Sequence, residues 1–175
     1  MKIHRIAGWA LCALVPALCL AQSGKVVHEK DVNEAALVNM LTLEPQLRTR
    51  SIRVTRDAPP APPPSASLLI TFETNSAQLT PQARKSLEVV GRALRSDRLS
   101  EFRFAIEGHA DPRGTGAGNL RLSQARAESV AAYLTTQQID RERLKPVGKG
   151  HAELMNTTEP TAPENRRVTI KTLLD

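Results

Sequence analysis

Two hydrophobic periods joined across a glycine-rich loop constrain this chain more than any other feature. Phe102, Phe104 and Ile106 alternate with Arg103 and Ala105, which predicts a strand over Glu101–Glu107. Beyond the loop, Ala127, Val130, Ala131 and Leu134 recur at helical spacing and predict an amphipathic helix. The loop holds Gly108, Gly114, Gly116 and Gly118, which let backbone N–H groups approach a ligand, and Asn119 is placed to cap the helix. At ~100° per residue Arg126 falls beside the apolar stripe, at the border of core and surface. Asp111 in the loop and Arg126 on the helix then converge near one helix N-terminus. Such a pair suits a small zwitterion, the carboxylate taking an ammonium and the guanidinium a carboxylate in a two-pronged bond. That chemistry is binding rather than catalysis.

The rest of the chain is organised around this unit. A basic start (Lys2, Arg5), an apolar run over Ile6–Leu20 and a small-x-small end at Cys19-Leu20-Ala21 predict a secretory signal peptide at 1–21. The run is short for a membrane-spanning helix, which needs ~20 residues. Both cysteines, Cys12 and Cys19, lie in this leader. The mature chain therefore has no thiol for a disulfide, a thiolate metal site or nucleophilic catalysis. Residues 22–56 form a short helical and extended segment. There Asp31-Val-Asn-Glu34 has the form of a capping box, and Ala35, Leu37, Val38, Met40 and Leu41 a short amphipathic helix. Arg48–Val54 has the alternation of a short strand. Residues 57–66 are a Pro/Ala linker that favours extended polyproline II.

From 67 to 175 the pattern is that of one domain. Leu68–Phe72 is a short apolar strand. Thr80-Pro81 starts a helix over Thr80–Ser96 whose apolar residues are Ala83, Leu87, Val90 and Leu94. A helical turn at Asp140–Leu144, a strand over Lys145–Gly150, a loop at Met155–Glu164 and a strand through Val168, Ile170 and Thr172 follow. The order β-α-β-α-β-β predicts an α+β or α/β sandwich, one sheet with two main helices on one face, and α+β is the expectation taken. Aromatic residues are only 3% of the chain, so its core must be aliphatic.

Glu-Gly-His-Ala-Asp-Pro-Arg-Gly-Thr at 107–115, with Leu122-Ser-Gln-Ala-Arg-Ala-Glu-Ser-Val130, resembles the peptidoglycan-binding domain shared by OmpA, the Pal lipoprotein and the MotB stator. Phe72-Glu-Thr-Asn-Ser-Ala-Gln-Leu79 and Asn165-Arg-Arg-Val-Thr-Ile170 are similar to that family's opening and closing strands. The resemblance implies a mixed sheet. It implies too that Asp111 receives the ammonium, and Arg126 the carboxylate, of diaminopimelate in the peptidoglycan stem peptide. Asn75, Asn119 and Arg166 match positions that line the family's pocket. Each also has a plainer reading, turn or cap for the asparagines and a structural ion pair for Arg166. The resemblance further implies a periplasmic or outer-membrane-associated protein that tethers envelope components to the wall. A role as assembly subunit of an outer-membrane or envelope complex, docking through 22–56, is the alternative. Lipidation at Cys19 is disfavoured because Leu18 stands where a small residue is wanted. A MotB-like stator is disfavoured because no charge lies within Ile6–Leu20. Gly148-Lys-Gly150 lacks the proline that relatives often carry after it.

Other chemistries fit less well. Net charge is +6, and loss of Lys2 and Arg5 with the leader leaves 22 basic and 18 acidic residues, or +4. The positives are interleaved with acids and the chain is exported, which argues against nucleic acid. His109 and Asp111 offer no third metal ligand at recognisable spacing, so no metal or cofactor is expected. His109 reads instead as a strand-end residue bonding within the loop. Ser123 lacks the Gly-x-Ser-x-Gly setting of a hydrolase nucleophile. Gly114-Thr-Gly-Ala-Gly118 does not have dinucleotide-fingerprint spacing. Arg113 reads as a solvated charge.

Overall fold

A computed structural model of the chain describes residues 26–42, 62–73 and 76–174. The leader, the extended stretch at 48–54, Asn75 and the first half of the Pro/Ala linker lie outside the described residues. In chain order the elements are β1 (Val26–His28), α1 (Glu34–Leu41), β2 (Ser65–Leu69), α2 (Pro81–Arg95), β3 (Arg103–His109), α3 (Gly116–Thr136), β4 (Leu144–Gly150) and β5 (Val168–Leu173). The strands form one mixed sheet in the order β1-β2-β5-β3-β4. β1 runs parallel to β2 and β3 parallel to β4, while β5 is antiparallel to both β2 and β3. The expected α+β arrangement is present, extended by a fifth strand and a third helix from the N-terminal segment.

α3 packs on β3 and β4, α1 on β2, and α2 against both other helices. The inward side chains of all three meet those of the strands in one apolar layer, which includes Leu37, Leu41, Leu68, Leu87, Leu94, Ile106, Leu134 and Ile170. Phe104 is the one aromatic among the largest fully buried side chains, as the composition demands. The four α2 residues picked out by periodicity are all fully buried, with Thr80 accepting from the Ala83 N–H as cap. α1 is capped by Asn33, which accepts from the Ala36 N–H. The capping box expected from Asp31 is absent, because Asp31 closes a preceding 3₁₀ turn.

β2 starts three residues before the expected strand, inside the stretch assigned to the linker. Its register against β5 is set by Ala66 and Leu68, which point into the core opposite Ile170 and Val168. The chain leaves the sheet after Leu69, and Phe72 makes only an isolated bridge to Leu79.

The α3 backbone touches the sheet directly. A Cβ added at Gly108 would lie 2.2 Å from the Ser123 carbonyl oxygen, and one at Gly148 would lie 2.6 Å from the Gln124 nitrogen. The Gly148 N–H donates to Gln124 Oε1 and the Gly150 N–H to Ser123 Oγ, 2.9 Å away. This close seating holds the loop between β3 and α3 at the carboxyl end of β3.

Candidate functional site

The loop at 110–115 turns on Gly114, whose φ of +90° a side chain would strain. Thr115 then caps α3 by accepting from the Gly118 N–H. Asn119, expected as the cap, sits one turn inside the helix instead. It is buried, donates from Nδ2 to the Asp111 carbonyl oxygen at 3.0 Å, and contacts His151 Nδ1 at 3.2 Å. It thereby positions the Asp111 backbone.

Asp111 is 5% exposed. Its carboxylate accepts from the backbone N–H and the guanidinium of Arg113, and from Arg166 Nη1 at 2.9 Å. The Arg113 hydrogen bond in particular holds its pKa down at about 2, with Arg166 helping and burial opposing. The group is therefore anionic at any envelope pH. Arg113 is exposed as expected, but it is committed to Asp111 rather than solvated on its own.

Arg126 is half-buried on α3. It donates from Nε to the Ser76 carbonyl oxygen at 3.1 Å, and its guanidinium lies 4.8 Å from the centre of the Phe72 ring. Its terminal nitrogens have no hydrogen-bond partner among the described residues. Burial and the nearby Arg166 lower its pKa while Asp111 raises it, though a guanidinium stays charged throughout. Arg126 and Arg166 line one cavity of about 320 Å³, with Phe72, His109 and Arg167 in its wall. Asp111 is not among the lining residues, because Arg166 and Arg113 cover it. The acid and the arginine are thus neighbours through Arg166 and are not locked to each other. Arg166 is an ion-pair partner of Asp111 and also lines the cavity.

His109 departs from expectation. It ends β3, and its backbone N–H bonds the Arg167 carbonyl. Its ring does not bond within the loop; neither nitrogen has a hydrogen-bond partner among the described residues. The strand's alternation turns it to the outer face of the sheet, where burial first and the Arg167 charge second lower its pKa to about 3. Ser123 Oγ accepts from Gly150 and donates to Leu120, a structural role.

Sequence reasoning passed over Phe72, Arg167 and Asn165 as individuals. Asn165 is fully buried and pins the 151–165 loop through the N–H groups of Met155 and Asn156 and the carbonyls of Asn156 and Pro160. That anchorage fixes the start of β5 and hence Arg166. Its signal was its place at the mouth of the last strand, where an amide side chain is the natural mimic of backbone.

A family model described as the OmpA family matches residues 71–168. The peptidoglycan-associated lipoprotein of Pseudomonas aeruginosa is 35% identical over 102 residues, covering 57% of this chain and 59% of that protein. The probable lipoprotein YiaD of Escherichia coli is 36% identical over 103 residues, covering 58% of this chain and 46% of that protein. The chain spans about half the length of the curated relatives it matches. Among solved structures, the peptidoglycan-associated lipoprotein from Burkholderia pseudomallei superposes with a TM-score of 0.52 at 26% identity, over 61% of this chain and 89% of that one.

Proposed function

Because the chain belongs to the OmpA family, we propose that its domain is a non-catalytic peptidoglycan-binding module that tethers envelope components to the wall of a Gram-negative cell. The relatives named for peptidoglycan association support this reading, and the leader expected at 1–21 agrees with it. Its place is the periplasm, in association with the outer membrane. The observation that carries it is the Arg126 guanidinium, half-buried, free at its terminal nitrogens among the described residues and opening onto a cavity beside an anionic Asp111.

In this reading the free amino-acid end of diaminopimelate enters the cavity. Its carboxylate takes the terminal nitrogens of Arg126, and its ammonium takes Asp111 as the exposed Arg113 swings aside. Arg166 steadies Asp111 and faces the same carboxylate, and Asn119 holds the loop. Each charge-assisted hydrogen bond contributes roughly 1.5–3 kcal/mol. One ligand therefore binds weakly, and a wall offering many copies provides retention through avidity.

The test is co-sedimentation of the mature protein with purified sacculi. Diaminopimelate-type sacculi should pellet the protein. Lysine-type sacculi, which lack the carboxylate for Arg126, should not. Asp111→Ala and Arg126→Ala should each lower binding by about tenfold or more. Unchanged pelleting in both variants, with folding intact by circular dichroism, removes the proposal.

A further inference from the structure

The outer face of the sheet carries a second cluster, which shares only His109 with the wall of the Arg126 cavity. Glu107 (7% exposed) and His109 (3% exposed) stand on β3, and Glu153 approaches from the loop after β4. One ligand atom from each lies within 4.8 Å of the other two. Neither His109 nitrogen has a hydrogen-bond partner among the described residues, although the ring is almost wholly enclosed. The position between the two carboxylates already holds a cation: Lys149 Nζ sits 2.8 Å from Glu153 Oε1 and 3.5 Å from Glu107 Oε1. Lys171 holds the other Glu107 oxygen at 2.9 Å.

We propose that Glu107, His109 and Glu153 form a binding site for a divalent transition-metal ion such as zinc, which displaces the Lys149 ammonium and takes a His109 nitrogen as its third protein ligand. The argument has three parts. A buried imidazole with both nitrogens open is a polar group awaiting a partner, and two carboxylates converge beside it. One nitrogen and two oxygens suit zinc, or manganese, iron, cobalt or nickel, better than calcium or magnesium, which prefer oxygen alone. Lys149, on a flexible four-carbon stem with its head partly in solvent, is free to swing outward, whereas the carboxylates and imidazole are held by strand and loop. Lys171 and the Arg167 guanidinium stay nearby and oppose the added charge, so Lys149 acts as a built-in competitor. This set differs from the His109 and Asp111 pair weighed in the sequence, because the pairing of β3 with β4 delivers Glu153 beside His109 and Asp111 lies elsewhere.

The experiment is a titration of the untagged mature protein with zinc chloride at neutral pH, read by calorimetry and by the histidine ring signals in NMR spectra. One equivalent should bind saturably, with the His109 signals perturbed and those of His28 and His151 unmoved. Glu153→Gln removes an exposed ligand without disturbing the core and should weaken binding about tenfold or more. Lys149→Met removes the competitor and should tighten it. His109→Gln should abolish it. Absence of saturable binding, affinity unaltered in both Glu153→Gln and Lys149→Met, or perturbation confined to His28 or His151 would each overturn the site. Neither Glu153 nor Lys149 belongs to the cavity around Arg126. Sacculus pelleting without added metal should therefore be indifferent to both substitutions, so this site and the wall-binding reading fail separately.

Discussion

Asp111 owes its permanent charge to its neighbours, and that debt has a measurable pH dependence. Its folded pKa of about 2 lies below the ordinary 3.8, so the native state favours the ionised form. The resulting stability is fully present above about pH 4 and is lost as pH falls through the folded value. Most of it comes from Arg113, an exposed partner whose attraction is screened by solvent, so the contribution is small. Thermal melts between pH 5 and pH 2 should fall more steeply for the wild-type protein than for Asp111→Asn. Parallel curves would mean that the Arg113 fork is an idle surface contact. The motif residues Asp111 and Arg126 were legible in the sequence because strand, loop and helix spacing place them at one end of the fold. The Arg113 fork was not, since it depends on the backbone turn at Gly114, a choice that composition does not reveal. His109 was misread for a related reason: a bulge between Gly108 and His109 and the outward turn of the ring are properties of strand pairing.

Elements meet here with almost no space between backbones. α3 lies so close to β3 and β4 that only a hydrogen fits at Gly108 and Gly148. A methyl at Gly108 would sit 2.2 Å from the Ser123 carbonyl oxygen, a rigid helix atom that no rotamer change relieves. Gly108→Ala should therefore cost about 3 kcal/mol or more, at the upper end of overpacking penalties. Gly118→Ala meets only the cap hydroxyl of Thr115, 2.9 Å away, and should cost less. Urea denaturation of the two variants checks the ranking. Equal losses would show that α3 shifts away from the sheet at little cost. The same contrast separates what periodicity reveals from what it hides. α2 was legible to within a residue because its apolar stripe, helix-initiating proline and cap all agree. β2 was placed three residues late, because Ser65, Ala66 and Ser67 are poor strand formers that only their pairing with β5 recruits.

The molecule as a whole is larger than its motifs. β1 is three residues long, too short for any period to register, yet it extends the sheet beside β2. α1 was legible as a helix, but an amphipathic stripe does not by itself say what it packs against. Leu37, Val38 and Leu41 are buried in the same layer as Leu87 and Ile170, and the Thr172 hydroxyl donates to the Leu41 carbonyl at 2.7 Å. Burying three such side chains contributes about 5 kcal/mol or more, comparable with the whole net stability of an ordinary domain. A fragment starting at residue 62 should therefore melt at least about 10 °C below the mature chain. It should also bind a hydrophobic dye through the uncovered faces of α2 and β2. This bears on any role of residues 22–56 in docking to an envelope complex. Deleting them would remove core as well as surface, so lost localisation would not distinguish docking from unfolding. Met40→Glu alters an exposed side chain of α1 and leaves the three buried ones in place. Lost localisation with unchanged melting in that variant would favour docking. A fragment from residue 62 that melts within about 2 °C of the mature chain would instead make β1 and α1 an appendage to a domain that is complete without them.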